Sequence, residues 1–396
     1  MSVPDNPTCP ACGAVALGDS NFCEECGTPL ATTATPSQAP RVLLTEPAAS
    51  EPSPIDDLGS GPISRATTQS SPPATTPTAI PPCSSCGGTV GPEGYCEQCG
   101  VKALSPRDHF REQAAPWVAG VCDKGIRHHR NEDAMAMLAS PDGTASDRRA
   151  VLVMLDGVSN TVDSQVGSLA GAKAALAALQ VPLPQGMGTP EGKLAAVTRA
   201  MGEAVSAANA KVVAAAPDDA TNPASATYCA AVLEGETLTY ANVGDSRIYW
   251  LPDGGAGVQL SVDDSAAQEQ MEAGVPRAEA ETSPQAHAIT KWLGRDSHDH
   301  APRVGQQSLT DPGWLLVCSD GLWNYASEPA ALAAQISAAG STDPAALALS
   351  LTDFANGCGG QDNITVVFAR VEPIANGHDP SCQPTQTSTT KEQPHG

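Results

Sequence analysis

Apolar positions in this chain fall into two kinds of run. Val151-Leu-Val-Met-Leu155 is short and continuously apolar, as a strand buried on both faces would be. Stretches 228–233, 238–243 and 246–251 are rich in Val, Tyr and Ile. Glu234-Gly235-Glu236 and Gly244-Asp245 break them, so they read as consecutive antiparallel strands. Stretches 314–318 and 364–371 read as two more. Helical spacing joins Leu169, Ala172, Leu176 and Leu179, and again Leu194, Val197, Met201 and Val205. Asp343-Pro344 opens a later helix carrying Leu347, Leu351 and Phe354, with Pro in its first turn. Strand runs flanked by long helices predict a layered α+β domain over residues 107–372.

The pattern is absent from 28–82 and from 373–396. The first is rich in Pro, Thr, Ala and Ser and cannot bury enough surface to offset chain entropy. It is expected to be a disordered linker, and the second a disordered tail holding Cys382. The Gly and Pro excess (36 and 35 of 396 residues) then lies partly outside the folded part.

Charge narrows the function classes. Asp plus Glu number 44 against 21 Lys plus Arg, a net charge of −23. A binder of nucleic acid or anionic lipid relies on basic residues, so neither partner is expected. No apolar run reaches the ~18 residues of a membrane span. Met1-Ser-Val-Pro-Asp5 does not read as a signal peptide, so a cytoplasmic, reducing setting is expected. There, clustered Cys are metal ligands more often than disulfides.

Eight of the 13 Cys form a repeat. Cys9-Pro-Ala-Cys12-Gly and Cys23-Glu-Glu-Cys26-Gly make one copy (1–27), and Cys83-Ser-Ser-Cys86-Gly and Cys96-Glu-Gln-Cys99-Gly the other (83–105). An aromatic precedes the third Cys of each, Phe22 and Tyr95. Four thiolates in two CxxC pairs suit tetrahedral Zn²⁺, which replaces a core that about 20 residues cannot build. The repeat resembles a double zinc ribbon split by the linker. Such ribbons are structural or bind a protein partner, since a closed four-Cys site has no open position for catalysis. Cys122, Cys229, Cys318 and Cys358 have no ligand spacing and are expected as buried core thiols.

The remaining chemistry is carboxylate. Arg130-Asn-Glu132-Asp133, Leu155-Asp156-Gly157, Ser319-Asp320-Gly321, Gln361-Asp362-Asn363 and Gly244-Asp245-Ser-Arg247 lie at or beside predicted strand ends. Taken singly, each reads as a turn. Together they offer oxygen ligands for hard cations such as Mg²⁺ or Mn²⁺. The stretches GIRHHRNED (125–133), VMLDGVS (153–159), NVGDSR (242–247), LVCSDGLW (316–323) and GQDNITV (360–366) resemble the metal-dependent serine/threonine phosphatases of the protein phosphatase 2C type in order and spacing.

The resemblance implies a β-sandwich of two antiparallel sheets flanked by helices, with two Mn²⁺ or Mg²⁺ at one edge. It implies hydrolysis of phosphoserine and phosphothreonine in proteins by a two-metal-activated water. Substrates would be the products of Ser/Thr kinases, in signal transduction. Asp156 matches the carboxylate bridging the metals, Gly157 a backbone carbonyl ligand, Asp320 and Asp362 ligands of one metal, and Glu132 and Asp133 the acidic pair at the other. Asp156, Asp320, Asp362 and Asp133 are thus the catalytic carboxylates.

Two positions depart from the family. His128 stands where an Arg usually grips the phosphate, with Arg127 and Arg130 on either side as alternatives. Asn324 stands where Asp is common, which weakens a third metal site at Asp245. Val158 follows Asp156-Gly157, so the His that some members carry there is absent. The other reading is a pseudophosphatase, a binding module for which the ribbons serve as a scaffold.

Overall fold

In the computed structural model, which describes residues 87–91, 94–100, 103, 105–184 and 188–374, the strand runs form two antiparallel sheets. Strands and helices are numbered in chain order. One sheet contains β1 (His109–Ala115), β2 (Val118–Asp123), β8 (Arg247–Pro252), β9 (Val258–Gln259), β12 (Gly313–Cys318) and β13 (Ile364–Val371), ordered β1-β2-β13-β12-β8-β9. The other contains β3 (Ala134–Ala139), β4 (Arg149–Leu155), β6 (Tyr228–Glu234), β7 (Thr237–Val243) and β11 (Arg303–Ser308), ordered β11-β7-β6-β4-β3. A short pair joins β5 (Ser225–Ala226) to β10 (Leu293–Gly294).

Three apolar layers hold the sandwich. Cys122, Leu152, Met154, Ile248, Leu315, Val317 and Val367 fill the space between the sheets. Val151, Val153 and Leu155 point the other way, against Ala172 of α1 (Ser164–Ala178) and Val197, Met201 and Val205 of α2 (Pro190–Ala215). This is why β4 reads as one unbroken apolar run: alternate side chains enter different cores, and both are dry. On the far side, Leu316 and Phe368 pack on Leu347 and Leu351 of a late helix, Pro344–Gly357. Asp343 caps that helix by accepting from Ala345 N–H at 3.2 Å.

The structure corrects three sequence expectations. First, the runs at 238–243 and 246–251 are not neighbours in one sheet. β6 pairs with β7, but the chain then crosses to the other sheet, where β8 pairs with β12. Gly244 makes the crossing possible. Its φ is +95°, and a Cβ there would lie 2.8 Å from Thr227 Cβ. Second, Cys122, Cys229 and Cys318 are buried but Cys358 is exposed, because it caps the C-terminus of the late helix. Third, Leu194 lies off the buried face of α2 and is 48% exposed.

Cys9, Cys12, Cys23, Cys26, Cys83, Cys86, the linker and nearly all of the tail lie outside the described residues. Of the second Cys copy, Cys96 is buried and Cys99 exposed. Gln98 N–H points at Cys96 Sγ (3.4 Å), and the Gly after each CxxC pair, Gly87 and Gly100, has φ +72°. None of the described helices is long and apolar enough to cross a membrane.

The turn that begins with Gly244 also roots a buried ion pair. Arg247, 1% exposed, donates from Nη2 to Asp263 at 2.7 Å and to Glu281 at 2.8 Å, and its guanidinium lies 3.6 Å from the centroid of the Trp323 ring. Removing one partner of such a pair leaves the other charge buried and unmatched. Arg247→Met is expected to cost about 3–5 kcal/mol in urea unfolding. A loss below about 1 kcal/mol would mean that Asp263 reaches water.

Candidate active site

The β ladders set which residues can meet. Ala134 pairs with Leu155, so Asp133, just before β3, and Asp156, just after β4, lie at the same end of one sheet. In the other sheet Cys318 pairs with both Val366 and Arg247. Asp320 after β12, Asp362 before β13 and Asp245 before β8 therefore share an end as well. Thr365 of β13 joins the two ends: its Oγ1 donates to Asp133 Oδ2 at 2.7 Å, across the sandwich.

The environment of these carboxylates is dry and crowded. Burial pushes Asp156 and Asp320 well above the usual carboxylate range, and nearby Asp133 and Asp362, respectively, add to the rise. Burial, with Asp362 adding, pushes Asp133 up to about 6. Burial, with Asp263 adding, pushes Asp245 up to about 7. Asp362 is also raised by burial, against the pull of His128. Two oxygens, Asp133 Oδ1 and Asp320 Oδ1, are buried and have no hydrogen-bond partner. Buried polar atoms are normally paired, so orphans aimed into an acidic space point to a cation.

Among the described residues no three His, Cys, Asp or Glu side chains close into a ready-made cation cage. The carboxylates are near enough to raise one another's pKa. Mg²⁺-type ions take few carboxylates and keep several waters. The donor set, all oxygen and strongly acidic, fits such a cation.

Glu132 differs from the others. Its carboxylate accepts from Ser164 Oγ, from Ser159 Oγ at 3.1 Å and from Arg130 Nη2 at 2.8 Å, and His128 Nδ1 stands 3.7 Å away. Burial alone would raise its pKa; the His128, Ser164 and Arg130 contacts bring it below the usual value. So Arg130 is committed to Glu132 and to Thr161 O. His128 bridges Glu132 and Asp362, the latter at 3.2 Å from Nε2. Glu132 raises the imidazole pKa, burial opposes the rise, and Asp362 adds to it. Arg127 is exposed, with no side-chain partner among the described residues.

The DG motifs are packing requirements as well as turns. A Cβ on Gly321 would lie 2.0 Å from Asn363 O, and one on Gly157 2.6 Å from Glu132 O. Only Gly lets these motifs close on one another. Asn324 is exposed and donates to Asp320 Oδ2 at 3.3 Å.

Asn363 and Thr365 lie within the GQDNITV stretch, yet the sequence pattern assigned them no role. Asn363 Oδ1 accepts from Glu132 N–H at 2.7 Å, and its Nδ2 donates to Lys124 O and Arg130 O. The signal was there: on β13, Thr365 precedes Val367 on the face that enters the inter-sheet core. A polar side chain on an apolar strand face is bound to something.

The Protein phosphatase 2C family model matches residues 127–350, more than half of the chain. Protein phosphatase PhpP of Streptococcus pneumoniae is 35% identical over 142 residues, which cover 35% of this chain and 54% of that protein. Serine/threonine protein phosphatase PstP of Mycobacterium tuberculosis is 33% identical over 147 residues, 37% of this chain and 27% of the relative. The chain thus spans about half the length, or less, of these curated relatives. Among solved structures, the Mycobacterium tuberculosis phosphatase PstP/Ppp superposes with a TM-score of 0.51 at 27% identity, over 64% of this chain and 98% of that one. The Streptococcus agalactiae serine/threonine phosphatase shares the fold, with a TM-score of 0.54 at 24% identity over 66% and 100% of the two chains.

If the carboxylates repel one another, neutralising one relieves the fold. In chelator-treated protein at pH 8, Asp156→Asn is expected to raise Tm. A lower Tm would show that Asp156 is stabilised by partners rather than strained by neighbours.

Proposed function

The chain belongs to the protein phosphatase 2C family, and from that premise we propose that it hydrolyses phosphoserine and phosphothreonine in proteins with divalent cations. The observation that carries this reading is the pair of orphaned oxygens, Asp133 Oδ1 and Asp320 Oδ1, among carboxylates from four motifs. Asp133, Asp156, Asp320, Asp362 and the carbonyl of Gly157 would hold two Mn²⁺ or Mg²⁺. When bound, such ions make water a nucleophile at neutral pH and offset charge on the phosphoryl oxygens.

The protein's own contribution is placement. Thr365 and Asn363 fix Asp133 and the backbone of Glu132. Glu132, satisfied by Ser159, Ser164 and Arg130, anchors the loop bearing His128 rather than offering a free oxygen. Of the three residues considered for the phosphate, Arg127 is the one whose cation has no side-chain partner among the described residues, so it would receive the phosphate. His128 would orient Asp362. A third cation at Asp245 would bind weakly, since the Asn324 amide turns to Asp320.

The native chain should release phosphate from a phosphothreonine peptide with Mn²⁺, and Asp156→Asn should reduce the rate to background. Activity surviving that change would sink the two-cation assignment. A native chain with no turnover would sink the phosphatase reading in favour of a phosphoprotein-binding module.

We also propose that the CxxC copies hold Zn²⁺ and dock a protein partner. The Gln98 N–H aimed at Cys96 Sγ and the left-handed Gly100 support a ligand-bearing turn at Cys96–Cys99. The full chain should contain two Zn²⁺ by elemental analysis, and Cys96→Ser should contain one. Unchanged zinc in that variant would remove Cys96 from the ligand set.

A further inference from the structure

We propose that His287 donates the proton to the departing seryl or threonyl oxygen. The assignment rests on the phosphatase reading and extends it to the leaving group, for which Val158 offers no donor.

A pocket of about 450 Å³ opens beside the carboxylates, with Gly321, Asp362 and Gln361 on one side and Thr282 and His287 on the other. His287 is exposed, and no hydrogen bond to either ring nitrogen occurs among the described residues. The ring is nevertheless oriented. It stacks on Trp323 with centroids 5.8 Å apart and planes at 29°. Trp323 is itself fixed, its Nε1 donating to Asp245 O at 2.9 Å and its other partner being the Arg247 guanidinium. The imidazole is thus held in a pocket that also contains Asp362, and its charge reaches Asp362, where it opposes the rise caused by burial.

Several other proton donors are committed or lie elsewhere, and His129, exposed and without a side-chain partner among the described residues, does not line this pocket. His128 is occupied by Glu132 and Asp362, and His109 by Asp123. His298 and His300 line a different pocket, against α2. Tyr325 lines the same pocket and accepts from Gln361 N–H, and a phenol is in general a weaker acid than an imidazolium. Glu281 is bound to Arg247 and to Ser327 Oγ.

In the step itself, the oxygen of water bonds to phosphorus as the bond from phosphorus to the seryl or threonyl oxygen breaks. The electron pair stays on that oxygen, which takes the imidazolium proton. The proton lost by the attacking water goes to solvent, and the exposed ring is reprotonated from solvent. Alkoxides leave poorly without a proton, whereas p-nitrophenolate does not need one, so the two substrates separate the roles.

His287→Phe keeps an aromatic ring on Trp323 but carries no proton, and His287→Gln checks the result without a ring. Both variants, with Mn²⁺, are expected to lose about 10²-fold in kcat on a phosphothreonine peptide, with KM little changed. Both should keep p-nitrophenyl phosphate turnover within about threefold, since general acid help is not required there. Across a series of aryl phosphates, the dependence of kcat on leaving-group pKa should steepen. Equal losses on both substrates, or no loss on the peptide, would overturn the assignment alone. A native chain inactive on both substrates would overturn the phosphatase reading, and this assignment with it.

Discussion

Like charges buried together are opposed twice, by lost hydration and by mutual repulsion. Asp133, Asp156, Asp245, Asp320 and Asp362 are all held in that state at one end of the sandwich. Much of the architecture is what withstands it. The five carboxylates follow or precede strands that pair in the two sheets and pack into three apolar layers, with β3, beside Asp133, at a sheet edge. Neutral or basic side chains bond only some of the carboxylate oxygens, and the unsatisfied remainder is where a cation gains most. A hard cation bound at this edge would offset part of that cost and so stabilise the folded chain.

The strands and long helices were legible because their periodicity follows from burial. Val151–Leu155 had to be a two-sided strand, and Leu347 and Leu351 had to face a core. Periodicity says nothing about which sheet a strand joins, so the crossing of β8 was invisible. It depends on Gly244 packing against Thr227, a contact between two connecting segments well separated in the chain. Cys358 was misread because composition favours burial for Cys while its position at a helix end does not.

The acidic motifs were legible as a set, yet their roles were only partly so. Glu132 and Asp133 are adjacent and chemically alike, but two serines and an arginine bond Glu132, whereas Asp133 Oδ1 is buried without a hydrogen-bond partner among the described residues. Such a distinction arises from residues tens of positions away, Ser159 and Ser164 on the approach to α1. Arg247 is similar. In sequence it is one member of GDSR; in the fold its guanidinium joins Asp263, Glu281 and the Trp323 face, linking the segment that bears His287 to the floor of the pocket. The pocket and the scaffold therefore share residues there.

β13 lies between β2 and β12, and Asn363 at its threshold clasps the loop that carries His128 and Glu132. During synthesis the ribosome delivers this strand after every other described strand. Until then β1-β2 and β12-β8-β9 are separate pieces with unpaired edges, and Asp362 has not emerged. The cluster of carboxylates at the end of the sandwich is consequently incomplete until translation of the described fold is nearly finished. The long separation of paired partners, such as Asp123 with Ile364, also makes the final closure slow and exposes those edges to aggregation meanwhile.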